Sequence, residues 1–203
     1  MNTRYFSAYY LTSAPSIRAA PEDEGAEVAF AGRSNAGKSR AINAITNQNR
    51  LAKTSKTPGR TQHLVFFAVD ERIRLVDLPG YGFARVPEKT KQQWQTMMDE
   101  YLSHRRSLRG LLLIMDIRHP LKEFDQQMLA WCEQSGLPVH VLLTKADKLK
   151  PGVVKQQLHK VREQLRRHYP GASVQAFSAL NKTGVEEAHQ VLDKLLRERP
   201  ATP

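Results

Sequence analysis

The stretch Gly32-Arg33-Ser34-Asn35-Ala36-Gly37-Lys38-Ser39 decides the fold. It fits G-x-x-x-x-G-K-[ST], follows the apolar run Glu27-Val28-Ala29-Phe30-Ala31 and opens onto a helix-compatible segment from Lys38 to about Thr46. Strand, glycine loop and helix in that order are the context in which this pattern denotes a phosphate-binding loop. Gly32 and Gly37 permit conformations and close approaches that a Cβ would block. Successive N–H groups across Arg33, Ser34, Asn35 and Ala36 can then point inward at the α- and β-phosphates of a nucleotide. The start of the helix adds its partial positive charge. Lys38 reaches the β- and γ-phosphates as a point charge, and the Ser39 hydroxyl suits one position in the octahedral shell of Mg²⁺.

Composition bounds the partners. The chain has 203 residues, enough for one α/β domain with a sizeable core. It carries 31 Lys and Arg against 20 Asp and Glu, a formal charge of +11, and that excess suggests a polyanionic partner, nucleic acid or an anionic membrane surface. Apolar runs such as Leu111 to Met115 have strand length and fall far short of the ~20 residues of a spanning helix. No apolar leader stands at the N-terminus. The lone Cys132 offers neither a disulfide nor a metal cluster, which fits a reducing cytoplasm.

Residues 1–25, with Tyr5, Phe6, Tyr9, Tyr10, Pro15, Pro21 and an acidic turn at Glu22-Asp23-Glu24, read as an irregular lead-in. Residues 26–199 read as a single nucleotide-binding domain, and 200–203 as a disordered tail. Asn47 to Gln62 is a long polar loop without periodicity. His63–Val69 and Ile73–Val76 form a hairpin across Asp70-Glu71-Arg72. After it, helices over Glu88–Arg106, Leu121–Gln134, Val153–His168 and Val185–Arg199 alternate with strands at Leu111–Met115, Val139–Leu143 and Val174–Phe177. That alternation means a mostly parallel sheet covered on both faces, with one antiparallel pair.

Three further motifs end strands, where open α/β sheets bind ligands. In Asp77-Leu78-Pro79-Gly80 the aspartate can hold the Mg²⁺ shell through water, and the Gly80 N–H can meet a γ-phosphate. In Thr144-Lys145-Ala146-Asp147 the carboxylate of Asp147 can accept both N1–H and the exocyclic amine of guanine, while the Lys145 stem lies over the base. A site built on such a carboxylate rejects adenine, which would leave it unpaired. Phe177-Ser178-Ala179-Leu180 completes the pocket, with the Ala179 N–H placed to meet the base carbonyl.

In this order the motifs resemble the GTPase fold of Ras-like proteins and translation factors. More narrowly, G-R-S-N-A-G-K-S, T-P-G-R-T-Q, D-L-P-G-Y-G, M-D-I-R-H-P, L-L-T-K-A-D-K and F-S-A-L resemble the EngB (YihA/YsxC) family of bacterial ribosome-biogenesis GTPases, over about residues 20 to 199. The resemblance implies an α/β Ras-like P-loop GTPase fold with a six-stranded, mostly parallel sheet. It also implies a cytoplasmic monomer that binds GTP and GDP with Mg²⁺ and acts with ribosomal RNA in late assembly of the large ribosomal subunit. Thr61, within the segment Gly59-Arg60-Thr61-Gln62-His63 that closes on the nucleotide, matches the switch threonine, with Thr57 as competitor. Lys38, Thr61 and Gly80 would meet the transferred phosphate, and Ser39, Thr61 and Asp77 the metal.

Four positions depart from common patterns or leave alternatives open. Arg40 stands where a small residue is usual, adding a cation near the phosphates or pointing to solvent. Thr144 replaces the asparagine of N-K-x-D, which removes an amide that ties this loop to the P-loop and implies modest nucleotide affinity. Tyr81 occupies the place of the water-orienting glutamine that Ras-like GTPases carry after the D-x-x-G glycine, so intrinsic hydrolysis should be slow. Asn35 stands where some cation-activated GTPases hold K⁺, and equally where a turn needs a tolerant residue. A basic RNA-binding module that senses nucleotide without meaningful turnover is the rival from another class.

Charge locates the RNA-facing side. From Gly32 to Val69 there is no acid but seven cations, Arg33, Lys38, Arg40, Arg50, Lys53, Lys56 and Arg60. A second basic set, Lys148, Lys150, Lys155, Lys160, Arg162, Arg166 and Arg167 against Glu163, follows the guanine motif.

Overall fold

The computed structural model describes residues 2–53, 63–81 and 88–197. In chain order the strands are β1 (Tyr9–Ala14), β2 (Ala26–Gly32), β3 (Leu64–Ala68), β4 (Ile73–Asp77), β5 (Leu108–Asp116), β6 (Val139–Thr144) and β7 (Ala172–Ala176). The helices are α1 (Lys38–Ile45), α2 (Glu88–His104), α3 (Glu123–Ser135), α4 (Pro151–His168) and α5 (Val185–Arg197).

The apolar runs of the central strands explain why helices cover both faces. Every residue of β2 is buried, and its side chains alternate between two core layers. Val28 and Phe30 join Leu112, Ile114 and Leu142 under Ile42 and Ile45 of α1 and Leu192 and Leu195 of α5. Ala29 and Ala31 join Leu111, Leu113, Val141 and Leu143 under Tyr101 of α2, Leu129 of α3 and Val161 and Leu165 of α4. A strand of period two that buries side chains on both faces needs a partner on each side, and each Val, Leu, Ile or Phe so withdrawn from water contributes about 1.5–3 kcal/mol.

The sheet has seven strands in the order β1-β3-β4-β2-β5-β6-β7. Strand β3 alone runs against the rest, pairing antiparallel with β4 as the hairpin reading requires and also with β1. The seventh strand corrects both the count of six and the irregular lead-in, for Tyr9–Ala14 is a strand and Arg4–Ser7 and Ile17–Ala19 are 3₁₀ turns. Its side chains show no buried alternation, because an edge strand with Tyr9, Tyr10 and Leu11 exposed is held by main-chain pairing, which leaves no hydrophobic period to read. Tyr5 secures the segment further by stacking on His189 and donating its hydroxyl to Asp193 of α5 at 2.7 Å.

At the amino ends of the strands Glu27 is fully buried and accepts from Arg74 Nε at 2.7 Å, Arg105 at 2.7 and 3.0 Å and the Tyr101 hydroxyl at 2.9 Å. This network fastens α2 to β2 and β4 at the end opposite the carboxyl ends where the motifs gather.

Candidate nucleotide site

The loop leaves β2 at the middle of the sheet, where the chain continues to β3 and β4 on one side and to β5 on the other; a crevice opens at such a reversal. Gly32 is required by packing. A Cβ there would sit 2.7 Å from the Ile114 carbonyl oxygen of β5. Gly37 caps α1 with φ 101°, and Asn35 has φ 61°, both in the left-handed region. For Asn35 this supports the turn reading. The N–H groups of Lys38, Ser39 and Arg40 precede the first helical bond, from the Ala41 N–H to the Gly37 carbonyl at 2.9 Å, so they stand ready as anion donors. Two other loop amides have partners inside the protein, which narrows the expected cradle. The Ser34 N–H donates to the Tyr81 carbonyl at 2.9 Å, and the Ala36 N–H to the Arg33 carbonyl at 3.1 Å.

Beside the loop, β4 delivers Asp77, and the Leu78 N–H donates to the Phe30 carbonyl at 3.0 Å, continuing the ladder past the strand end. The Lys38 ammonium is ion-paired with the Asp77 carboxylate, each side chain nearly buried. Pro79 is buried, and Gly80 packs against the loop: a Cβ there would stand 3.5 Å from the Ser34 nitrogen. Among the described residues no group of three or more His, Cys, Asp or Glu could hold a metal. One carboxylate and one hydroxyl, Asp77 and Ser39, still fit Mg²⁺, which draws its other ligands from phosphate oxygens and water. Arg40 is exposed and points to solvent. His63 is exposed at the foot of β3 and borders, with Asp77, Arg50 and Lys53, an open cavity of about 1220 Å³. Thr57, Gly59, Arg60, Thr61 and Gln62 lie outside the described residues.

The base end is built by β5, β6 and the turn after β7. The Thr144 hydroxyl donates to the Ala36 carbonyl, with the Met115 carbonyl 3.1 Å away as a second acceptor. The tie that a missing asparagine amide would have provided is therefore made by a hydroxyl, and the premise for weakened binding falls. Lys145, at φ 60°, donates its ammonium to the Asn35 carbonyl at 2.7 Å and pairs with Asp116 at 2.9 Å. Asp147 accepts the Ser178 hydroxyl at 2.7 Å, a bond that holds its carboxyl below the usual carboxylate range, with Lys148 3.4 Å away adding to the effect. Ser178 thus fixes the orientation of the Asp147 carboxylate. Phe177 is buried beneath the turn, its carbonyl accepting the Ala146 N–H at 3.1 Å, and Ala179 is half-buried next to it.

Sequence reasoning gave Asp116 no role. It ends β5 directly opposite Thr144, and its carboxylate clamps Lys145 and, in two bonds of 2.9 and 2.6 Å, Arg118. Partial burial opposes its ionisation, but the bonds from Arg118 and Lys145 prevail and hold the group well below its ordinary value. The signal was present, since Met115-Asp116-Ile117-Arg118 ends a strand parallel to the one that ends in Thr144.

A glycine loop at the carboxyl end of β2, a lysine and an aspartate converging beside it, and a carboxylate held by a serine in the turn after β6 define a P-loop GTPase of the Ras-like α/β class. Residues 27–145 match the family model described as 50S ribosome-binding GTPase. The chain is 57% identical over 194 residues to the probable GTP-binding protein EngB of Edwardsiella ictaluri, covering 96% of this chain and 89% of the relative. It is also 57% identical over 189 residues to that of Pasteurella multocida, with 93% and 92% covered. A crystal structure of a probable GTP-binding protein EngB superposes with a TM-score of 0.68 over 86% of this chain and 100% of that one; at 20% identity it speaks to the fold. The chain belongs to the EngB family of GTP-binding proteins, and it is a GTPase.

Proposed function

We propose that this GTPase is a GTP-controlled switch in assembly of the large ribosomal subunit, docking on ribosomal RNA through the cations around its nucleotide loops and along α4. The observation that carries the RNA reading is the charge on α4. Lys155, Lys160, Arg162, Arg166 and Arg167 are all exposed on one helix, and its single acid, Glu163, pairs with Arg166 at 3.1 Å. Among the described residues the other four have no acidic partner, which suits a face that meets phosphates. The 50S ribosome in the family model's description points the same way. No helix among the described residues is long and apolar enough to cross a membrane.

In this reading Lys38 leaves Asp77 for the β- and γ-phosphates, and the N–H groups of Lys38 and Ser39 donate to them. Ser39 and Asp77, joined by Thr61, would hold Mg²⁺, which would neutralise charge on the phosphates. The Gly80 N–H meets the γ-phosphate. Asp147 accepts from guanine, the Lys145 stem covers the base and the Ala179 N–H meets its carbonyl. In the GTP state the cations of the loop after α1 add to the docking face and strengthen binding.

The test is binding to purified large ribosomal subunits with a GTP analogue and with GDP across a salt series. Wild type is compared with Lys53→Ala/Lys56→Ala and with Lys160→Ala/Arg162→Ala/Arg167→Ala. Affinity should be higher with the analogue and fall steeply with salt, and each phosphate contact removed should flatten the logarithmic salt slope by about 0.7–0.9. Affinity indifferent to nucleotide and to both sets of substitutions would remove the proposal.

A further inference from the structure

We propose that Tyr81 is a positioning residue for the γ-phosphate end of the nucleotide, acting through Asp125 of α3 by fixing Gly80 against the phosphate loop. Its main chain is bonded to that loop in both directions. The carbonyl accepts the Ser34 N–H at 2.9 Å, and the N–H donates to the Gly32 carbonyl at 3.4 Å, forming a parallel bridge with Arg33. Its side chain turns the other way, into the core layer beneath α3, where the hydroxyl donates to Asp125 Oδ1 at 2.9 Å and the ring lies 6.0 Å from that of Phe124. Gly80, the residue expected to present its N–H to the γ-phosphate, is thus held on its carboxyl side by a residue anchored both to the loop and to a helix.

Asp125 shows that the bond is more than packing. It is 1% exposed, and its second oxygen accepts the Lys122 N–H at 3.0 Å as the capping box of α3. A buried carboxylate is costly unless its oxygens are bonded, and phenylalanine would fill the same space with no need of one. The charged groups that face the pair are Arg33 of the phosphate loop and Lys122 of α3. With its hydroxyl committed to Asp125, Tyr81 does not orient water. What it supplies is a fixed position for the Gly80 N–H, with α3 as its support.

The inference rests on the GTPase activity and not on the ribosomal role, and its test needs only nucleotides. Equilibrium titration should show Tyr81→Phe binding a non-hydrolysable GTP analogue about tenfold more weakly, the scale of one charge-assisted bond, with GDP affinity within about twofold of wild type. Asp125→Leu should show the same loss. Tyr81→Phe/Asp125→Leu, which leaves no unpaired carboxylate and keeps the test alive if the first variant fails to fold, should lose no more than either. The proposal is overturned if the analogue and GDP weaken together, if the ratio is unchanged, or if the two losses multiply in the double variant.

Discussion

Replacing Thr144 by valine conserves shape and removes one hydroxyl, which makes it a sharp probe of the link between the base end and the phosphate loop. Thr144 is 3% exposed, and its hydroxyl is shared between the Ala36 and Met115 carbonyls, both on buried residues. Valine would set a methyl against these oxygens and strip the loop carbonyl of its donor, a change worth about 1–3 kcal/mol. Ala36 immediately precedes Gly37, so the orientation of its carbonyl governs the N–H groups that open α1. Part of the cost therefore falls on stability and part on binding. An even division of about 2 kcal/mol would weaken GDP and GTP-analogue binding alike by about fivefold and lower the melting temperature by about 2–4 °C. Thr144→Ser keeps the donor and should stay within about twofold of wild type. Fluorescent-nucleotide titration and thermal denaturation read both quantities. If Thr144→Val binds and melts like wild type, or if Thr144→Ser weakens binding as much, the hydroxyl is not the tie.

Asp147→Asn should move preference from GTP towards XTP, because the new amide pairs with the xanthine carbonyl; competition binding that still favours GTP over XTP and ATP would remove Asp147 as the base reader. Phosphate release by the free protein should be slow, since Tyr81 stands where a water-orienting glutamine would; turnover on the scale of an activated GTPase, with no large subunits present, contradicts this. Glu27→Ala leaves Arg74 buried without the carboxylate it bonds and Arg105 with Asp23 alone, at 3.5 Å, and breaking a buried ion pair in this way costs about 3–5 kcal/mol; chemical denaturation should show that loss, whereas a loss under about 1 kcal/mol would mean the network is solvated. Burial pushes the His140 imidazole from its ordinary 6.5 down to about 4, so between those values the unfolded chain binds the extra proton. Stability should therefore fall as pH drops through that window, by up to about 3 kcal/mol, and His140→Gln should flatten that part of the curve.

The parallel core was legible because its strands are apolar at consecutive positions and the helices between them amphipathic, and no other layering buries both faces. The phosphate loop and the Thr144–Asp147 turn were legible because their chemistry depends on residue type at fixed spacing. Strand β1 was not, since main-chain pairing to β3 leaves no periodic trace in Tyr9–Ala14. Helix α3 begins at Glu123, later than the periodicity from Leu121 suggested, because Leu121 has φ 56° and Asp125 reaches back to the Lys122 N–H. The roles of Asp116, Ser178 and Asp125 depend on partners from distant parts of the chain, such as the 2.7 Å bond from Ser178 to Asp147, and so appear only once the sheet has brought them together.

Strand β1 also governs how the protein behaves in a crowded solution. It covers the outer edge of β3, whose sequence Leu64-Val65-Phe66-Phe67-Ala68 is apolar throughout. Such a run left unpaired is a template for intermolecular strand addition. The edge that β1 presents in its place is short and interrupted by a register shift between Tyr10 and Thr12, the kind of irregularity that discourages a further strand from joining. A chain cut back beyond Ala14 would retain every nucleotide-site residue named above and expose the β3 edge, so a preparation shortened in this way should aggregate by its sheet edge with the phosphate loop intact.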